Sequence, residues 1–460
     1  MKYISTRNGS KEFNFTEVFI KGLADDGGLF IPKTIPAISE QDLLRLSKLN
    51  YKDLAKEIIF LFCDETIIKD ELSNIVEKSY SKFNEKNVVK ITDIGENKIL
   101  ELYHGPTLAF KDIAMQFIGH LYDHHLKNLK KKINVVVATS GDTGAAAIDA
   151  IKNKDKMNIF VLHPNNKVSS VQRKLMTTVE DKNVFNIAID GNFDDCQNLV
   201  KSMFADNKFS NSIDMSGVNS INWVRIVAQT VYYFFSYFQT CQLNEKINFS
   251  VPTGNFGDVY AGYLSKKMGL PIDKLIVATN QNDILHRAIS NGQYKAHSVV
   301  ETLSPSMDIQ VASNFERLIY DINDQNTDKT SKIMQSIKNE KKYLIEEKEL
   351  KKIRKDFVSE TISEQELLSC IKKVYENYKI IIDPHTAVGL GALKKINLAG
   401  KSVVLSTAHP CKFPEAIKKA INIKSELPDN LNYILSKKEN FIVMNNDIEE
   451  VKKYILNKLI

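Results

Sequence analysis

The stretch Ile247-Asn-Phe-Ser-Val-Pro-Thr-Gly-Asn-Phe-Gly-Asp-Val-Tyr-Ala-Gly-Tyr-Leu-Ser-Lys-Lys-Met268 decides the fold. Ile247–Val251 reads as a short apolar strand, Thr253–Asp258 as a small polar loop with two glycines, and Val259–Met268 as a helix. The same rhythm of short β-branched run, Gly-bearing turn and helical period recurs from Lys98 onward. Its strands are expected at Ile133–Ala138, Ile159–His163, Val184–Ile189, Leu275–Thr279, Ile380–Ile382 and Ser402–Leu405. Repeated βα units of this kind build an α/β core around open, mostly parallel twisted sheets with flanking helices.

Outward from that core, residues 1–85 carry a short strand at Tyr3–Arg7 and a helix near Phe15–Leu23. A Gly27-Gly28 turn follows, then amphipathic helices between Glu40 and Phe83, as in a small N-terminal domain. The core is expected to span residues 86–415 in two lobes. Within it, 331–377 is charged and helical in period, and is assigned to an inserted helical lobe. Residues 416–460 form a C-terminal segment without an informative motif. The chain has 460 residues, 62 Lys+Arg against 56 Asp+Glu, and both signs interleave, as in the run Lys341–Lys352. A solvated face explains that run better than a nucleic-acid helix does. The basic run Lys127–Lys132 suits a helix end. Five widely spaced cysteines exclude a disulfide framework and a Cys-x-x-Cys zinc site, and fit a reducing compartment. No stretch approaches the roughly 20 apolar residues of a spanning helix, so a cytoplasmic location without membrane or nucleic-acid partners is expected.

In an open parallel sheet, ligands bind beyond the carboxyl ends of the strands. The loops Ser140–Gly144, Thr253–Asp258, Asp383–Gly389 and Ser406–Pro410 would therefore converge on one crevice. Thr253–Asp258 can present backbone N–H groups to an anion at a helix N-terminus, and fits a plain βα turn equally well. It is neither a Walker loop nor a dinucleotide fingerprint. Lys111 stands where a helix begins, and the positive end of the helix dipole favours its neutral amine, a nucleophile toward aldehydes. His120 and His124 have zinc spacing but lack the Glu and a third ligand, so a surface helix is expected there. Cys411 beside His409 lacks the partners of a cysteine hydrolase and is expected to be structural.

Gly27–Pro32, His104–Asp112, Ser140–Gly144, Asn219–Arg225, Thr253–Asp258, Asp308–Arg317, Asp383–Gly389 and Ser406–Pro410 occur in one order along the chain. Together they resemble the threonine synthase family in its longer form, which are fold type II enzymes dependent on pyridoxal 5′-phosphate. The resemblance implies that Lys111 is the lysine joined to the cofactor and also the proton shuttle. It implies that Gly254, Asn255, Phe256, Gly257 and Asp258 hold the cofactor phosphate, and that Thr407 meets the pyridine nitrogen. Asn219, Ser220 and Arg225 match the segment that meets the substrate phosphate, and Thr143 and Asn255 match further substrate contacts. Asp142 stands where shorter relatives place an Asn beside the cofactor's phenolic oxygen. An ionised carboxylate would repel a phenolate, so Asp142 is expected either to be protonated or to point elsewhere.

The implied reaction is O-phospho-L-homoserine and water giving L-threonine and phosphate, carried out by a monomer or homodimer. Its alternatives are an O-phosphohomoserine lyase, a serine/threonine dehydratase, and a non-catalytic regulatory homologue. The Asn219–Arg225 segment favours a phosphorylated substrate over a plain hydroxy amino acid. Intact Lys111 and Thr407 argue against a non-catalytic protein.

Overall fold

The computed structural model describes residues 1–460 apart from Asn128, Lys130 and Ile460. Two sheets carry the molecule. In the six-stranded sheet the order is Phe357–Thr361, Ile272–Thr279, Ile247–Pro252, Lys401–Ser406, Asn97–Glu101 and Lys90–Ile94. Only the final pair is antiparallel. In the five-stranded sheet the order is Ile442–Asn445, Val184–Asp190, Met157–Pro164, Ile133–Ala138 and Met215–Ser216, parallel throughout. The central strands are buried almost end to end, which is why they read as continuous apolar runs rather than alternating ones.

The helix Trp223–Thr240 packs against the helices Tyr51–Cys63, Lys111–Leu126 and Gly257–Lys267 and is buried along its first fifteen residues. Asn222 caps it by accepting from the Val224 N–H at 3.1 Å. The N-terminal part packs on this helix through Tyr51–Cys63, whose Leu54, Ile58, Ile59 and Phe62 form one buried stripe. Each such side chain contributes about 1.5–3 kcal/mol relative to exposure. Polar ties lock the same part to the core: Thr6 and Arg7 donate to the buried Glu316 carboxylate, Arg7 through two nitrogens at 2.9 and 2.7 Å.

Three expectations need correction. Residues 331–377 are not a purely helical insertion, because Phe357–Thr361 pairs in parallel with Leu275–Thr279 and forms an edge of the six-stranded sheet. That strand is five residues long and follows directly on a charged helix, Glu347–Asp356, so local pattern does not mark it. Ile380–Ile382 is not a strand; it leads into the helix Pro384–Ile396, which Asp383 caps with bonds from His385 and Thr386. The helix holding His120 and His124 is not a surface helix, since eleven residues of Lys111–Leu126 are buried. The C-terminal segment adds a strand, Ile442–Asn445, beside Val184–Asp190. Of the basic run Lys127–Lys132, Asn128 and Lys130 lie outside the described residues, and Lys131 pairs with Asp214 at 2.6 Å.

Candidate active site

Lys111 is the first residue of the helix Lys111–Leu126, and the loop before it is fixed from two sides. The Phe110 N–H donates to the Thr407 carbonyl at 2.8 Å and the His409 N–H to the Leu108 carbonyl at 3.0 Å, around an Ala109–Ala408 bridge. The Lys111 loop is thereby zipped to the loop that follows strand Lys401–Ser406, which brings Thr407 beside Lys111. On the other side the Thr107 N–H and hydroxyl donate to the Asp112 carboxyl. Gly105 lets that carboxyl in, since a Cβ there would lie 2.5 Å from the Asp112 Cβ. Burial pushes the Asp112 carboxyl up to about 7 despite those two bonds.

The Lys111 amine is nearly enclosed, at 13% side-chain exposure, and lies 3.6 Å from Asp142 Oδ2. Burial lowers its pKa, Asp142 opposes that, and the charges of Lys412 and Arg225 lower it further. Asp142 begins the helix Asp142–Ile151 at the carboxyl end of strand Ile133–Ala138. Its Oδ1 accepts from Lys412 Nζ at 2.6 Å and from Gln172 Nε2 at 2.8 Å. Burial works against its charge, yet Lys412 and Lys111 hold its carboxyl well below the usual range. The two lysines favour its ionised form, and its Oδ1 is turned toward Lys412 and Gln172.

The Thr253–Asp258 loop leaves strand Ile247–Pro252 and enters the helix Gly257–Lys267, which has no side-chain cap, so its first N–H groups remain open. Phe256 holds φ at 63°, a left-handed conformation that is strained for an aromatic residue. A Cβ at Gly254 would lie 2.8 Å from the Ser306 carbonyl oxygen. The Asp258 side chain turns out of the loop and accepts from Tyr232 and Tyr233, so only its backbone can serve an anion here. Burial raises its carboxyl to about 6 against those two bonds.

Asn314 joins this loop to the other candidate anion site. Its backbone and side-chain nitrogens both donate to the Asn255 carbonyl at 3.0 Å, and its side chain also donates to the Ser220 carbonyl at 3.2 Å. Arg317, fully buried, donates to Asn314 and, at 2.7 Å, to the Ile221 carbonyl. Asn219 is exposed and Ser220 half-buried at the mouth, whereas Arg225 is buried in the first turn of its helix. The Arg225 guanidinium donates to the Val218 carbonyl at 3.3 Å and has no carboxylate partner among the described residues. Thr143, half-buried, is the second residue of the Asp142–Ile151 helix.

Lys111, Asp142, Thr407, the Thr253–Asp258 loop and the Asn219–Arg225 segment thus lie at the carboxyl ends of strands from both sheets, joined in part by the contacts just described. Lys412, Gln172 and Asn314 bond to these groups and were not anticipated as site residues. Lys412 stands two residues beyond the Ser406–Pro410 loop, which was the one signal available. Among the described residues no group of three or more His, Cys, Asp or Glu could hold a metal. Cys411 is buried with its thiol pushed up to about 12 by desolvation, and is inert.

Residues 2–80 match the family model described as Threonine synthase N terminus, 100–408 that of Pyridoxal-phosphate dependent enzyme, and 386–455 that of Threonine synthase, C-terminal. A threonine synthase of Pseudomonas aeruginosa is 42% identical over 459 residues, covering 99% of this chain and 98% of its own. The chain belongs to the threonine synthase family. Among solved threonine synthases, that of Brucella melitensis, described as PLP bound, superposes with a TM-score of 0.96 at 40% identity, covering 100% of this chain and 99% of its own. The yeast threonine synthase gives 0.93 at 40% identity, covering 100% and 98%. The site of this chain also fits pyridoxal phosphate chemically. It offers a buried amine with a lowered pKa, and an uncapped helix start whose loop is packed so tightly at Gly254 that a Cβ there would meet the Ser306 carbonyl oxygen.

Proposed function

We propose that this chain converts O-phospho-L-homoserine and water into L-threonine and phosphate. The observation that carries the reading is Arg225, a buried guanidinium whose charge reaches Lys111 and which has no carboxylate partner among the described residues. A buried cation left so poorly compensated, at a helix start where the dipole also opposes it, suits a bound anion. Its planar fork matches phosphate oxygens, and Asn219 and Ser220 flank it at the mouth.

In this reading Lys111 would join the cofactor, the open N–H groups of Gly254–Asp258 would hold its phosphate, and Asp142 and Thr407 would contact it. Bound pyridoxal phosphate supplies an electron sink for negative charge developing at the substrate carbons. A neutral hydroxyl at Thr407 leaves that sink weaker than a carboxylate would. Lys111, freed as a neutral amine, removes the Cα proton and handles the later proton transfers at Cβ and Cγ. Arg225 holds the phosphate as it departs from Cγ and stabilises the leaving dianion. Thr143 and Asn255 orient the amino acid so that one water reaches Cβ. The buried walls exclude further water that would divert the product to a keto acid. The enzyme works on small molecules, as a monomer or homodimer in the cytoplasm, where its five free cysteines stay reduced.

Incubation with O-phosphohomoserine and analysis of amino-acid, keto-acid and phosphate products tests this. Threonine and phosphate in equal amounts support it. Release of 2-oxobutyrate assigns a lyase instead, and absence of product with no cofactor retained assigns a non-catalytic protein.

A further inference from the structure

Lys412 has no exposed side-chain surface, yet it ends 2.6 Å from Asp142 Oδ1 and donates to the Thr107 carbonyl at 2.8 Å. Asp142 is therefore shared between two lysines, with Lys412 close and Lys111 at 3.6 Å. Gln172 occupies the Lys412 side of the carboxylate as well. A buried carboxylate needs one full counter-charge. If Lys111 had to supply it, the amine would be held as an ammonium, useless as a nucleophile or base.

We propose that Lys412 is a positioning residue of the reaction: it takes over as the counter-ion of Asp142, so that the Lys111 amine can release and accept protons instead of being locked in an ion pair. This rests on reading Lys111 as the cofactor-bearing lysine. The pair Asp142–Lys412 is neutral overall, and Lys111 titrates against it. The arrangement also answers the repulsion expected between Asp142 and a phenolate, because Lys412 cancels the carboxylate charge without requiring its protonation. The charged groups acting on Lys111 are Asp142 from the helix Asp142–Ile151, Lys412 from the turn Pro410–Lys412, and Arg225 from the helix Trp223–Thr240. Lys412 itself also faces Asp112, His409 and Cys411.

The test measures the protonation of Lys111 directly, independent of any substrate. The full-length chain, stripped of cofactor with hydroxylamine, is acetylated with trace acetic anhydride across a pH series. Mass spectrometry then gives the midpoint for Lys111. In Lys412→Met the midpoint rises by about one pH unit or more, because Asp142 is left with Lys111 alone. In Asp142→Asn it falls, and in Asp142→Asn combined with Lys412→Met it lies between the two single variants. A cooperative urea transition verifies folding of each chain. A midpoint in Lys412→Met that is unmoved or lowered overturns the proposal. Where Lys412→Met does not fold, Lys412→Gln is measured in its place, and a midpoint that is unmoved or lowered overturns the proposal. Should neither Lys412 variant fold while Asp142→Asn does, Lys412 is structural only and the proposal also fails. Failure of the proposed reaction is read separately, from the products.

Discussion

Replacing Arg225 by Met should make the substrate-free protein more stable while weakening its use of substrate. Burial pushes the guanidinium well below its ordinary value, to about 10, and among the described residues Tyr232 and the Val218 carbonyl counter that. At about 1.4 kcal/mol per pH unit this is a strain of about 3 kcal/mol. The sign follows from linkage: a base whose folded pKa is depressed costs stability at every pH below that folded value, and the cost fades only as pH rises from about 10 toward the ordinary guanidinium value. At neutral pH the whole strain is present. Met removes it and forfeits the bond to the Val218 carbonyl, about 1 kcal/mol, for a net gain of about 2 kcal/mol. Loss of charge-assisted bonds to phosphate costs about 1.5–3 kcal/mol in the transition state, a fall in kcat/KM of about 10- to 150-fold. Urea melts at pH 7 with and without inorganic phosphate, and initial rates of phosphate release, measure both halves. Arg225→Met that is less stable than wild type, with kcat/KM unchanged, would refute the reading of Arg225 as a strained cation waiting for an anion.

Lys111→Ala should abolish the visible absorption of the lysine-bound cofactor and lower turnover by at least about 10²–10⁴-fold, read by spectrum and rate on the same preparation. Gly254→Ala places a Cβ 2.8 Å from the Ser306 carbonyl. The expected result is at least about tenfold weaker cofactor retention in dialysis, with the fold kept by far-UV circular dichroism. The Asp258 carboxyl is raised from 3.8 to about 6, chiefly by burial, so wild-type stability falls as pH climbs through that window. Asp258→Asn cannot ionise, and its stability relative to wild type should grow by up to about 3 kcal/mol between pH 4 and pH 7 in urea melts. A flat difference across that range would show that Asp258 does not titrate there.

The sequence by itself determined the βα rhythm, because runs such as Ile133–Ala138 and Ile247–Pro252 are buried on both faces and their apolar character is continuous. It also determined the place of Lys111 at a helix start and of the Thr253–Asp258 loop at another, since turn and helix signals act over a few residues. Only the tertiary structure decided that Phe357–Thr361 and Ile442–Asn445 are strands. Each is an edge whose identity comes from hydrogen bonds to a distant neighbour, Ile272–Thr279 in one case and Val184–Asp190 in the other. The same holds for the partners of Asp142. Residue type alone left its ionisation open, and the pull toward the charged form comes first from Lys412, which reaches it across the fold. Local conformation is governed by neighbours along the chain, whereas the energy of a buried charge depends on which groups surround it in space, and those are assembled only when the sheets and loops pack.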